Sequence, residues 1–320
     1  MVQLEDVLRA RGRIVDTVKT TPILKSRQLS EKVGAQVFIK SEHLQTTGSF
    51  KIRGATNRVI QAKEEGAKFV TAASSGNHGQ AVAYIANQLE IPATIVVPTD
   101  ASESKVSAIK QYNGSIEYCG TTSAERIPRA KELATELDGV FIPPYDHPDI
   151  IAGQGTVGLE ILEQVEEVDT VIVPVGGGGL SSGVLTAIKE KKPSVRVIGV
   201  EPELGNDTQV SLEKGVVTPA DGTDQTIADG LRTTQPGDLT FPILQKYLDD
   251  LVLVSEEEIR YAIRFVMERI KQIIEPSSAT TVAVALYRDL GLQKDKVVCI
   301  SSGGNVDLNK LSDLINVVGE

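Results

Sequence analysis

Four consecutive glycines, Gly176, Gly177, Gly178 and Gly179, follow the apolar run 170–175 and precede a stretch, 181–190, that reads as a helix. Residues without a Cβ let the chain turn tightly and aim several N–H groups at one point, while the helix behind adds the positive end of its dipole. The chemistry this suits is phosphate binding. A second candidate is Lys51, which closes the polar loop 43–51 at the mouth of a helix expected over 52–65. A cation there opposes the helix dipole, so its placement points to a use other than helix stability. Two glycine-bearing turns, Ser74-Ser75-Gly76-Asn77-His78-Gly79 and Ser301-Ser302-Gly303-Gly304-Asn305, complete the set.

These stretches act together only if the fold brings them to one rim, and the pattern between them indicates how. A helix is expected over 4–18, where Leu4, Val7, Leu8, Ile14 and Val15 recur near helical spacing until Pro22 ends the pattern. Strands are expected at 37–40, 69–72, 93–97, 115–118, 140–142, 170–175, 195–200 and 296–300, with helices at 80–89, 104–112, 123–137 and 181–190 between them. Such alternation builds parallel sheets covered by helices on both faces, whose ligands gather at the carboxyl ends of the strands. The Ser74 turn, the four glycines and Glu201 all lie at such ends. The proline-rich segment 143–149 reads as a crossing between two sheets, and a second α/β unit follows over 150–204. Residues 205–250 read as an irregular loop packed over the site. Ser255 and Glu258 form a capping box for a helix carrying Ile259, Ile263, Val266 and Ile270, which makes the acidic run 256–258 a charged first turn.

With 320 residues, 41% of them hydrophobic, the chain is globular and large enough for one large or two medium domains. A net charge of -10 leaves no basic stripe for a nucleic-acid backbone or anionic lipid, so neither is an expected partner and a small-molecule ligand is. The two cysteines, Cys119 and Cys299, read as buried thiols in a reducing compartment. The N-terminal stretch 1–13 lacks the apolar core of a signal peptide, and no apolar run approaches the roughly 20 residues needed to span a membrane. A cytoplasmic location is the expectation.

Two cofactor readings compete for the phosphate seat. In a dinucleotide reading the glycines hold a pyrophosphate and Glu201 takes a ribose hydroxyl, but Ser181 stands where the third glycine of G-x-G-x-x-G belongs, and Lys51 and the Ser74 turn go unused. In the other, the phosphate belongs to pyridoxal phosphate and Lys51 is its covalent amine partner. The motifs Ser49-Phe50-Lys51-Ile52-Arg53-Gly54-Ala55, Ser74-Ser75-Gly76-Asn77-His78-Gly79-Gln80, the four glycines and Ser302-Gly303-Gly304-Asn305-Val306-Asp307 resemble, in order, those of the serine/threonine dehydratase and serine racemase family of fold-type II pyridoxal phosphate enzymes.

The resemblance implies a tryptophan synthase β-like α/β fold with parallel sheets. It implies a large cofactor-binding domain over 1–59 and 148–320 and a small mobile domain over 60–147. Lys51 would form the Schiff base, Phe50 would pack near the ring, Gly176 to Gly179 would hold the phosphate, Asn77 would bond the ring hydroxyl and Ser302 would face the ring nitrogen. Ser74, Ser75, Asn77 and His78 would receive substrate, and Ser75, which racemases of the group carry where dedicated threonine dehydratases carry alanine, would be the acid on the second face. Arg126 resembles an arginine the racemase-like group places near substrate. Glu201, the Gly205 carbonyl and Asp207 match a loop for Mg²⁺, or Ca²⁺ or Mn²⁺. A homodimer is implied, and the thirteen residues after Asp307 leave no room for a regulatory domain responsive to isoleucine. The implied activity is dehydration of serine or threonine to a 2-oxo acid and ammonia, with serine racemisation beside it. A principal serine racemase or a 3-hydroxyaspartate dehydratase are the alternatives.

Overall fold

A computed structural model describes residues 1–293 and 295–316. Among them ten strands form two sheets: β1 (Ile23–Lys25), β2 (Gln36–Ser41), β3 (Val70–Ala73), β4 (Ala93–Val97), β5 (Ser115–Tyr118), β6 (Val140–Phe141), β7 (Thr170–Pro174), β8 (Arg196–Pro202), β9 (Asp250–Val254) and β10 (Lys296–Ser301). The larger sheet runs β1-β2-β10-β7-β8-β9 and the smaller β5-β4-β3-β6. Every pairing is parallel except β1 with β2.

The reason these runs are strands is their burial on both faces. On β7, Val171 and Val173 face one helical layer while Ile172 faces the other, and on β10 Val298 and Ile300 divide from Val297 and Cys299 in the same way. The first layer comes from helices Pro148–Gln164 and Gly179–Lys191, the second from Glu256–Phe265 and Pro276–Tyr287. Each fully buried aliphatic side chain here contributes about 1.5–3 kcal/mol, so the centre of the sheet is rigid. In the smaller sheet Val70, Ala72, Ile95 and Val97 pack with Val82 and Ile85 of helix Asn77–Gln88, and Val96 packs against Ala130 and Leu133 of helix Ser123–Glu136 on the opposite face.

The helix that starts at the expected lysine, Lys51–Glu64, is clamped from both sides. A Cβ on Gly153 would stand 2.7 Å from the Arg53 carbonyl and from Gly54 Cα, so this helix and Pro148–Gln164 cross at backbone contact. Arg53 adds a buried bridge to Glu42 and Glu160. Lys51 is therefore held by its own helix rather than by a loose loop.

Three local expectations differ from what is found. The three-residue β1 is too short to show an alternation, and pairs with β2 from Ile23↔Lys40 to Lys25↔Phe38. Residues 205–250 are not one irregular loop: they contain helices Asp207–Lys214 and Phe241–Tyr247, each under three turns and so weak in periodicity. Cys299 is buried, but Cys119 is only half-buried, because it follows the edge strand β5. The capping box at Ser255 and Glu258 is present. No helix of the described residues is long and apolar enough to cross a membrane.

Candidate active site

The cluster begins where the loop before Lys51 is stitched to the turn after β10. Ser49 bridges Gly303, Phe50 N donates to Ser302 O at 3.0 Å, and Gly304 N donates to Gly48 O at 2.9 Å. Ser302 is thereby fixed beside the lysine helix, with its hydroxyl 3.1 Å from that of Ser278. Lys51 Nζ donates to Pro144 O at 2.6 Å and lies 5.3 Å from the centre of the Phe50 ring. Burial pushes the Lys51 amine down to about 8, against the opposing pull of Glu275. A lysine so shifted carries a usable fraction of free amine near neutral pH.

The carbonyl that Lys51 meets belongs to the residue before Tyr145, which packs against Gly177 and Gly179. A Cβ on Gly177 would stand 2.5 Å from that ring, and one on Gly179 2.8 Å from Tyr145 Cβ. Gly178 has φ +89°, left-handed backbone that side chains disfavour. The Gly177 carbonyl accepts from Thr240 Oγ1 at 2.7 Å, which holds the turn in shape. Helix Gly179–Lys191 makes its first backbone bond from Ser182 N to Gly178 O at 2.8 Å, so the N–H groups of the residues before it have no carbonyl one turn back. The result is a buried, Cβ-free ring of donors at a helix N-terminus.

Asn77 opens the helix that follows β3. Its Nδ2 lies 2.9 and 3.1 Å from the two oxygens of Glu275, and its Oδ1 accepts from Asn305 Nδ2 at 2.7 Å. Ser74 and Ser75 precede it at the end of β3, and Gly76 N donates to Ser74 Oγ at 3.3 Å. The His78 ring is turned inward, its Nε2 2.8 Å from Ile142 O, and burial together with the Lys51 charge pushes it down to about 3. What His78 offers the cleft is its backbone N–H, not an imidazolium.

Lys51, Phe50, Asn77, Ser302 and the four glycines thus form one connected cluster. Two groups of expected residues stand apart from it. Arg126 lies at the start of helix Ser123–Glu136, bonded to Ser123 Oγ at 3.2 Å, with its Nε and Nη1 buried and unpartnered among the described residues. Glu201 and Asp207 lie behind the segment 226–233. The Glu201 oxygens accept from Thr208 N and Gln209 N at 2.8 and 2.9 Å, and Asp207 accepts from Thr233 Oγ1 at 3.3 Å. Burial and the neighbouring Asp207 charge push Glu201 up to about 8, and burial pushes Asp207 up to about 7. Gly205, also buried, completes the loop. No group of three or more His, Cys, Asp or Glu side chains gathers at one point among the described residues.

Glu275 and Tyr145 escape a reading of the sequence. An acid just before a proline at a helix start looks like an ordinary N-terminal charge, and a tyrosine among prolines looks like a connector. A buried amine joined through Pro144 and Tyr145 to a glycine turn at a helix N-terminus, on two helix-covered sheets, is the arrangement of a cofactor-dependent enzyme.

Residues 14–303 match the family described as Pyridoxal-phosphate dependent enzyme, and the chain belongs to it. It is 44% identical over 312 residues to the L-threo-3-hydroxyaspartate ammonia-lyase of Saccharomyces cerevisiae, covering 97% of this chain and 95% of that one. It is 43% identical over 317 residues to the L-threonine ammonia-lyase of Thermotoga maritima, covering 99% of this chain and 79% of the relative. Maize serine racemase superposes with a TM-score of 0.93 at 39% identity, covering 98% of this chain and 96% of that one. The donor set fits the cofactor: Cβ-free N–H groups for a phosphate, an amine for the aldehyde, a carboxamide for a hydroxyl and the neutral Ser302 hydroxyl for a ring nitrogen.

Proposed function

We propose that this enzyme is an ammonia-lyase that converts L-serine or L-threonine to a 2-oxo acid and ammonia, and that it also racemises serine. The observation that carries the reading is the Lys51 amine, shifted to about 8 and joined through Pro144 and Tyr145 to the glycine turn. Pyridoxal phosphate, when bound, supplies the electron sink that makes the substrate Cα proton removable. Gly176 to Gly179 hold its phosphate, and Asn77 and Ser302 meet its ring. Lys51 takes the Cα proton from one face. Departure of the β-hydroxyl as water, followed by hydrolysis, gives the 2-oxo acid and ammonia; return of a proton from Ser75 on the opposite face inverts Cα instead. Ser74, Asn77 and the backbone at His78 seat the substrate carboxylate. Residues 60–147 close over the substrate in this reading, with the Lys105–Asp229 ion pair at 2.8 Å tying helix Glu103–Gln111 to the Asp229 loop.

The test is a proton NMR time course of the holoenzyme with L-serine, with D-serine resolved by chiral chromatography. Wild type yields pyruvate and D-serine. Ser75→Ala keeps pyruvate and loses D-serine formation by about 10²-fold or more, the lower end of general-acid effects. Pyruvate alone, unmoved by the substitution, leaves a plain dehydratase, and neither product from the cofactor-loaded protein overturns the function.

One observation favours a second reading, 3-hydroxyaspartate as substrate. Arg126 stands apart from the cluster, but two of its guanidinium nitrogens have no partner among the described residues and suit a second carboxylate once closure of residues 60–147 brings them to the substrate. In that case Arg126→Ala lowers kcat/KM for L-threo-3-hydroxyaspartate about tenfold to a hundredfold while leaving L-serine unaffected.

Two buried carboxylates side by side also support a hard cation at Glu201, Asp207 and the Gly205 carbonyl. Millimolar Mg²⁺ or Ca²⁺ then raises the melting temperature by several degrees, and Glu201→Gln, which keeps an acceptor for the helix Asp207–Lys214, removes the response. An unchanged melting temperature in wild type leaves Glu201 as a helix cap only.

A further inference from the structure

Glu275 belongs to none of the four motifs, yet its side chain ends in the middle of the cluster. Its backbone N donates to Gly303 O at 3.1 Å just before helix Pro276–Tyr287, and the residue is only 4% exposed. An acid at a helix start ordinarily turns back onto its own first turn. This one does not. Its oxygens accept from Asn77 Nδ2 at 2.9 and 3.1 Å and from Asn305 N at 3.2 Å, while Asn305 Nδ2 donates to Thr47 O at 2.8 Å and to Asn77 Oδ1 at 2.7 Å. Gly303 has no side chain because a Cβ there would stand 2.6 Å from a Glu275 oxygen.

A carboxamide has two orientations of nearly equal shape, and only its partners decide between them. Here two carboxyl oxygens face the Asn77 nitrogen and the Asn305 amide nitrogen donates to its oxygen, so a single orientation is satisfied. The charged groups that act on Glu275 are Asp229 and Lys105, and Glu275 in turn acts on Lys51. Burial, joined by the Asp229 charge, pushes the Glu275 carboxyl up to about 8 against the pull of Asn77 and Asn305. Negative charge here in turn favours the protonated form of the Lys51 nitrogen.

We infer that Glu275 is a positioning residue of the cofactor pocket: its two oxygens, both within hydrogen-bond reach of the Asn77 nitrogen, select the orientation of the Asn77 carboxamide. The inference rests on the function proposed above, in which Asn77 meets the cofactor ring. It makes Glu275 responsible for how tightly the cofactor is held, although Glu275 itself never reacts.

The test measures, for wild type, Glu275→Gln and Glu275→Ala, the dissociation constant of pyridoxal phosphate by equilibrium dialysis of the apoprotein. The holoprotein's visible absorption band and the apoprotein melting temperature are recorded alongside. Glu275→Ala weakens cofactor binding about tenfold or more, through loss of the hydrogen bonds that hold the Asn77 carboxamide. Glu275→Gln, nearly the same shape and still able to turn an acceptor to the Asn77 nitrogen, holds the constant within about threefold of wild type. A purely structural Glu275 changes the melting temperature but not the cofactor's dissociation constant, so a constant unmoved in Glu275→Ala, or in Glu275→Leu should the alanine variant fail to fold, overturns the inference. A wild-type protein with no visible band overturns the proposed function, and this inference with it.

Discussion

Replacing Lys51 by alanine removes the visible band and lowers turnover of L-serine by about 10⁴-fold or more, since one side chain serves as both covalent anchor and general base. The fold survives the change. Lys51 makes one side-chain hydrogen bond, to Pro144 O, and its helix is secured two residues on by Arg53. Circular dichroism and melting temperature should therefore match wild type while absorbance and product formation do not. A Lys51→Ala enzyme that still turns over serine sinks the assignment.

The same amine sets a pH dependence whose sign follows from its environment. Burial lowers Lys51 from the ordinary lysine value of 10.5 to about 8. At pH 7 about 10% of it is then neutral, against about 0.03% for an unshifted lysine. Capture of pyridoxal phosphate by the apoprotein should rise about tenfold per pH unit below 8 and level above it. Stopped-flow absorbance measures the rate, and a rise that continues toward pH 10 places the amine in water rather than in this pocket.

What the sequence revealed, and what it withheld, divides by range. The glycine turn, Lys51 and the Ser74 turn are contiguous words at strand ends, so strand–helix alternation alone assigns them to a rim. The resemblance of the motifs then named a cofactor that composition could not. Glu275 had no such signal: its partner Asn77 is 198 residues away, and only the docking of β10's turn onto the lysine loop joins them. Helices Asp207–Lys214 and Phe241–Tyr247 are short enough that turn residues around them mask their period. The inward turn of His78 was equally hidden, because a histidine in a polar turn gives no sign of which way its ring points.

Arg53→Met should destabilise the protein by about 3–5 kcal/mol, the cost of stranding a buried charge. Arg53 is 1% exposed and donates to both oxygens of Glu42, at 2.7 and 2.8 Å, and to both of Glu160, at 2.7 and 2.8 Å. Lys40 reaches Glu160 from the far side and Thr21 Oγ1 bonds Glu42, so two cations and two carboxylates balance inside the protein. Removing Arg53 leaves Glu42, fully buried, without a cation bonded to it. Substituting Glu42→Gln as well removes the stranded charge, so the double variant should recover much of the loss, as buried pairs replaced together often do. The pH dependence separates this from simple loss of packing. Burial alone raises Glu42, but the charge and hydrogen bonds of Arg53 outweigh it and hold the carboxyl below its usual range. In wild type that contribution to stability is complete above the unfolded carboxylate pKa and is lost as pH falls through the lower folded value. In Arg53→Met the folded pKa of Glu42 moves above the unfolded one, so the sign reverses and the variant gains relative stability as pH falls from 7 toward about 5. Urea melts at the two pH values measure it. A deficit that stays constant with pH assigns the loss to packing and removes the electrostatic clamp as the element that holds the lysine helix in place.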